Sequence, residues 1–177
     1  MQFAVCLIAK NEQETLPRLL SSLKEFQDKG GKVLLLDTGS TDDTIKVAES
    51  LSCEVHAVGD MFIRQLHNTV DETNKMFVVE GEDPIVNKGD RVFDYASARN
   101  YIVEKSPLDM VAMPDCDEIF TKLDLEKINE AIKNGAEQLE YNFVYAHDEY
   151  GNESMKFMHC KFYNRKKLKW VGIIHEV

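Results

Sequence analysis

The feature that most limits what this chain can fold into is a rhythm in its first sixty residues. A continuous apolar run, Phe3–Ala9, is followed by Leu16, Leu19, Leu20, Leu23 and Phe26 at helical spacing, then by a stop at Gly30-Gly31. A second apolar run, 33–36, precedes a segment that Thr41 or Asp42 can cap and that carries Ile45, Ala48 and Leu51 at the same spacing. A third strand is read over 53–58. The first two runs, short and without polar alternation, read as strands buried on both faces, and strand–helix–strand–helix–strand is the pattern of a parallel α/β sheet. Right-handed crossovers bring the loops after the first two strands to one edge of the sheet, where such sheets bind ligands.

Past residue 60 the rhythm breaks. The stretch 61–70 has helical character and 76–79 strand character, but Gly81-Glu82-Asp83-Pro84 and Asn87-Lys88-Gly89-Asp90 are turn chemistry. Residues 60–92 therefore read as an irregular excursion, suited to a lid that orders over a bound ligand. Helical spacing returns over 93–103 through Tyr95, Ala98, Tyr101 and Ile102, and 110–113 is a fourth strand ended by Pro114. Asp124 can cap a helix through Leu125, Ile128 and Ile132 that Gly135 ends. The remainder, 136–177, reads as antiparallel: 139–145 and 156–163 flank a polar turn, 148–153, and a last strand surrounds Trp170. With 177 residues and no repeat or linker, the chain is expected to be one domain.

Charge narrows the function. Twenty-one bases against 31 acids give a net charge of −10, which repels nucleic acid but leaves room for a small phosphate ligand bridged to carboxylates by a divalent cation. The charge is uneven: 109–153 holds twelve acids and three bases, 156–170 six bases and no acid. The basic stretch, with Arg165-Lys166-Lys167, is either a solvated hairpin or a rim beside an acidic site for an anionic acceptor. Cysteines at 6, 53, 116 and 160 form no C-x-x-C pair and read as reduced thiols in a cytoplasmic protein. Phe3–Ala9 is short for a signal segment, and no apolar run reaches the 18 residues of a membrane span.

Three polar constellations stand at the ends of expected parallel strands. Lys10-Asn11-Glu12 follows the first and can reach a nucleotide or simply cap a helix. Asp37-Thr38-Gly39-Ser40-Thr41-Asp42-Asp43 follows the second: Gly39 permits a tight turn and close backbone approach, and Asp37 can accept hydrogen bonds from a base or ribose. Asp115-Cys116-Asp117-Glu118 follows the fourth. Three carboxylates in four residues repel one another unless a counter-ion is present, and an oxygen-rich set suits Mg²⁺ or Mn²⁺.

These loops in this order, with Phe93-Asp94-Tyr95-Ala96-Ser97-Ala98-Arg99-Asn100, resemble the family 2 glycosyltransferases over essentially the whole chain. The resemblance implies a GT-A fold: a Rossmann-like sandwich with a mostly parallel central sheet, helices on both faces and a small antiparallel C-terminal part. It implies a single catalytic domain, 1–177, that transfers a sugar with inversion from a nucleotide-sugar donor, commonly a UDP-sugar, to an acceptor hydroxyl of a glycan, protein or small molecule. Lys10, Asn11, Glu12, Asp37, Gly39, Ser40, Asp42, Arg99, Asn100 and Asp115 are carried over as donor contacts. Asp115 and Asp117 match the family's D-x-D motif, which holds the divalent metal. Trp170-Val171-Gly172-Ile173-Ile174-His175-Glu176 resembles a W-x-G-x-x-H-E ending in a subset of these enzymes, so His175 is either a metal ligand or structural. The family's acceptor-side E-D motif has no clear match, and Glu176, Asp148 and Glu149 remain candidates for the base. Because relatives often continue past this ending, the chain is expected to be a minimal enzyme or a trimmed catalytic domain. Two other readings compete. One is a nucleotide-sugar-binding module without catalysis. The other is a dimeric aspartic protease using Asp37-Thr38-Gly39, which demands β-structure immediately after Ser40.

Overall fold

A computed structural model of the chain describes residues 1–66 and 89–172. The expected rhythm is present. Strand β1 (Phe3–Ala9) leads through helices α1 (Leu16–Ser22) and α2 (Lys24–Asp28) to β2 (Val33–Asp37), and α3 (Thr44–Ser50) leads to β3 (Glu54–Ala57). The leucine repeat breaks at Leu23, so the one expected helix is two short ones. A 3₁₀ turn (Gly59–Phe62) and the short strand β4 (Ile63–Gln65) stand where a helix was expected from 61. β4 pairs antiparallel with β5 (Arg91–Phe93), Ile63 opposite Phe93, and that backbone pairing overrides the weak helical spacing. Most of the 60–92 excursion, residues 67–88, lies outside the described residues.

Helix α4 (Tyr95–Lys105), strand β6 (Met110–Ala112), helix α5 (Leu125–Lys133) and the long hairpin of β7 (Gln138–His147) and β8 (Glu153–Asn164) complete the chain. The main sheet has the order β3-β2-β1-β6-β8-β7. β3, β2, β1 and β6 are parallel, while β8 runs antiparallel to β6 and β7 antiparallel to β8. Trp170 belongs to no strand: the segment after β8 is tied to α4 by Asn100 rather than to a sheet edge.

Strand periodicity sorts the core into two layers. Phe3, Val5 and Leu7 face the layer built with Leu16, Leu19, Leu20, Phe26, Ala48 and Leu125, whereas Ala4 and Cys6 face Ala98, Ile102, Val103 and Tyr163. Helices therefore cover both faces of the sheet. β1 and β2, central and double-faced, are almost wholly buried, while β3 at the edge, with Glu54 and His56 in its four residues, is largely exposed.

Candidate active site

Strand order reverses at β1, with β2 leaving on one side and β6 on the other, and the crevice beyond strand ends at such a point is where open α/β sheets bind ligands. Ala9 lies opposite Asp37 in the β1–β2 register, so the loops after these strands start level. β6 meets β1 lower down, at Phe3 to Val5, and its continuation brings the Cys116 thiol to the Ile8 carbonyl at 3.3 Å. Three of the predicted loops therefore meet at one edge.

The first two loops are stitched together. Asn11, at φ 59, donates its N–H to Ser40 Oγ (2.9 Å), and its own Oδ1 accepts from the Thr41 N–H (2.8 Å). The Glu12 N–H donates to Thr44 Oγ1 (2.7 Å), the Gln13 N–H to Asp42 Oδ2 (3.3 Å), and Gln13 Oε1 accepts from the Asp43 N–H (3.0 Å). Asp42 Oδ1 also accepts from the Thr44 N–H at 3.0 Å. These bonds hold the Asp42 carboxyl below its ordinary range although desolvation opposes them. Asp37, 2 % exposed, accepts from the Gly39 N–H (3.1 Å) and the Ser40 N–H (3.2 Å). Gly39 has φ +95, and a Cβ there would meet the backbone of Gly59 at 3.5 Å, so the loop also packs on the turn after β3. Lys10 is exposed beside these residues. The helix that follows Thr41 rules out the protease reading, which needs a strand there.

The loop after β6 is held by charge instead. Lys161, on β8 and 8 % exposed, places its ammonium 2.7 Å from Asp115 Oδ2 and also on Glu118 Oε1. Arg99, on α4, approaches Asp115 Oδ1 at 3.8 Å and lies over the Trp170 ring at 4.9 Å. Asn100 faces Trp170 as well: its Nδ2 donates to the Trp170 carbonyl (2.8 Å) and its Oδ1 accepts from the Trp170 N–H (3.1 Å). Burial pushes the Glu118 carboxyl up, and the bonds from Lys161 counter that only in part. Burial pushes the Tyr141 hydroxyl up as well, helped by the charges of Glu118 and Asp115, and this hydroxyl has no hydrogen-bond partner among the described residues.

The donor set decides whether a divalent cation fits here. Asp117 is exposed and makes no hydrogen bond or ion pair among the described residues. Asp115 stands beside it, about half exposed. Hard ions such as Mg²⁺ use one or two carboxylates and complete their shell with phosphate oxygens and water, so this pair fits. Among the described residues no three His, Cys, Asp or Glu side chains are grouped so as to hold a metal ion by themselves, and His175 and Glu176 lie outside them.

Asp148 is elsewhere. It sits at the far tip of the β7–β8 hairpin, beyond the His147–Glu153 pair, and its carboxylate accepts from the N–H groups of Tyr150 (2.9 Å) and Asn152 (2.8 Å). At about 3.3 Å per residue the tip is roughly 25 Å along the strand from Lys161. Glu149 shares that exposed turn. Lys161 was not singled out by the sequence reading, although a lysine inside the apolar run Cys160-Lys161-Phe162-Tyr163 is the kind of signal that marks a buried ion pair.

The model of the family "Glycosyl transferase family 2" matches residues 4–175. No curated protein sequence matches the chain. Among solved structures, S. aureus TarS 1–349 is 15% identical over 97% of this chain and 50% of that one, with a TM-score of 0.55. The same fragment in complex with UDP is 20% identical over 76% of this chain and 32% of that one, at 0.50. S. aureus TarS itself is 20% identical over 76% of this chain and 20% of that one, also at 0.50. The chain thus spans between a fifth and a half of the length of these structures.

Proposed function

The chain belongs to glycosyl transferase family 2 and has the GT-A fold, and on that footing we propose that it transfers a sugar, with inversion, from a UDP-sugar to an acceptor hydroxyl. The observation that carries this reading is the meeting of the three loops at the reversal point of the sheet, one pair rigid and polar, the third acidic. In support, the TarS fragment, similar in fold, is known in complex with UDP.

In this reading the stitched loops form the nucleoside side. Asp37, Gly39, Ser40 and Asn11 present fixed polar groups to base and ribose, with Lys10, Glu12 and Asp42 around them. Asp117 and Asp115 would hold Mn²⁺ or Mg²⁺, which when bound neutralises charge growing on the departing diphosphate. Arg99 stands next to Asp115, suited to the donor phosphates, and Asn100 fixes the Trp170 segment that leads to His175 and Glu176. His175 is proposed as a further metal contact and Glu176 as the base that takes the acceptor proton. Asp148 has no part, because its carboxylate is committed to a remote turn. Four unpaired thiols support a reducing compartment, the cytoplasm. Among the described residues no helix is long and apolar enough to cross a membrane.

Thermal shift across nucleotide sugars, with and without Mn²⁺, tests the reading. A specific donor at a hundred times its Kd adds about 2.7 kcal/mol of stability. No shift with any nucleotide sugar overturns it, and binding without turnover across an acceptor panel leaves only a nucleotide-sugar-binding module.

A further inference from the structure

We propose that Lys161 is a built-in counter-ion of the acidic loop, which occupies Asp115 and Glu118 in the free protein and so makes divalent-cation binding conditional on the nucleotide. The inference rests on the functional reading above and concerns a residue that neither the D-x-D motif nor the donor loops include.

Its ground is geometric. Three carboxylates in four residues need a positive partner, and the fold brings one from 43 residues away in sequence: the Lys161 ammonium lies on Glu118 and is 2.7 Å from Asp115 Oδ2. Lys161 is 8 % exposed, and the Phe143 ring stands 5.7 Å from its ammonium. A buried ammonium is costly unless ion-paired, so the side chain and the two acids are mutually dependent. Arg99 approaches the other oxygen of Asp115 at 3.8 Å. Thus Asp115 and Glu118 are already neutralised, and of the three acids only Asp117 is left without a partner among the described residues. One exposed carboxylate is a weak site for Mg²⁺ or Mn²⁺, which needs further oxygen ligands. A nucleoside diphosphate supplies them, and its added negative charge gives Lys161 and Arg99 new partners, so that Asp115 can turn to the cation.

A second observation concerns Tyr141 on β7. The Tyr141 hydroxyl, which feels the charges of Glu118 and Asp115, has no hydrogen-bond partner among the described residues. Buried hydroxyls are nearly always satisfied.

The test is calorimetric titration of Mn²⁺ into the full chain, with and without UDP, for wild type, Lys161→Met, Lys161→Arg and the double variant Lys161→Met/Glu118→Gln. Without UDP, Lys161→Met is expected to bind Mn²⁺ at least about tenfold more tightly than wild type, because a cation within ion-pair distance has been removed. Lys161→Arg should stay near wild type. UDP should tighten Mn²⁺ binding by a larger factor in wild type than in Lys161→Met, and Mn²⁺ should tighten UDP binding reciprocally. A merely structural lysine would give the opposite sign, weaker binding on removal. If Lys161→Met does not fold by circular dichroism, the double variant, which leaves no unpaired charge at Glu118, carries the comparison through its freed Asp115. Nucleotide-free Mn²⁺ affinity no tighter than wild type in a folded variant overturns the proposal. Failure of wild type to bind UDP overturns the functional reading instead, and the nucleotide-free titrations still report on Lys161.

Discussion

The two sides of the candidate site are held by different forces. After β1 and β2, backbone N–H groups and short polar side chains bond one another across the loops, as Asn11 does with Ser40 and Thr41. After β6, long charged side chains from α4 and β8 converge on Asp115 and Glu118. Hydrogen bonds among backbone N–H groups and short side chains fix one geometry with little entropy left to lose, so these two loops are in place before any ligand arrives. Ion pairs among long side chains are exchangeable, because a diphosphate or a metal competes for the same partners. One side is a mould and the other a balance of charge.

The largest effect should come from the single acid that this balance leaves unpaired. Asp117→Asn keeps size and removes charge, and is expected to cut metal-dependent donor turnover about a hundredfold or more, since a bound metal contributes several kcal/mol to stabilising the transition state. Because Asp117 is exposed and without partners among the described residues, Tm should not change. Full turnover by this variant, or by wild type in chelator, would remove the metal from the mechanism and make the acidic side purely structural.

On the rigid side the corresponding change is Asp37→Ala. It leaves the Gly39 and Ser40 N–H groups without their acceptor, at a cost of about 1–3 kcal/mol for buried donors. UDP affinity should fall together with Tm, while the fold measured by circular dichroism persists. Unchanged affinity for UDP by calorimetry would show that this loop is not the nucleoside side.

The contrast also explains what the sequence could reveal. Strands at Phe3–Ala9 and 33–36, and the turn chemistry of Asp37 to Asp43, are local signals: apolar runs, a glycine that takes φ +95, and short side chains that cap. The meeting of the loops after β1 and β2 depends on contacts between two such neighbours and was legible. The acidic side was half legible. The need for a counter-ion followed from Asp115-Cys116-Asp117-Glu118, but its identity lay on a strand of a hairpin formed much later in the chain. Local pattern carries no information about which cation will fold back onto an acid. For the same reason Asp148 looked available as a base, when its neighbours Tyr150 and Asn152 take up its carboxylate. The weak helical spacing after residue 61 gave way to β4–β5 pairing, a contact across the 60–92 excursion that periodicity does not register.

A smaller effect isolates one stitch of the mould. Asn11 sits at φ 59, where glycine is at ease, so Asn11→Gly removes the side-chain bond to Thr41 without straining the backbone. The expected loss is about 1 kcal/mol in stability, with a few-fold rise in Kd for UDP. If UDP affinity falls while stability does not, the side chain touches the ligand instead of bracing the loop.

The smallest effect lies behind the balance of charge, where α4 carries Arg99 and Asn100. Asp94 caps that helix: Oδ1 accepts from the Ser97 N–H (2.9 Å), Oδ2 from Ser97 Oγ (2.7 Å) and from Arg64 Nε (3.2 Å). Burial alone would raise its carboxyl, but the bonds from Ser97 and Arg64 outweigh burial and hold it below its ordinary value of 3.8. A depressed carboxyl contributes stability that is present above the unfolded value and lost as pH falls through the folded one. Asn caps helices as well as Asp does, so Asp94→Asn removes the charge and keeps a cap. At neutral pH the variant should be less stable by about 1 kcal/mol or less, the scale of a partly exposed ion pair. Urea midpoints measured from pH 7 downward should show that deficit constant to about pH 5 and closing below 3.8. A deficit that persists unchanged to the lowest pH would mean that Asp94 acts through shape alone, and that the scaffold under Arg99, like the loops after β1 and β2, is held chiefly by hydrogen-bond geometry.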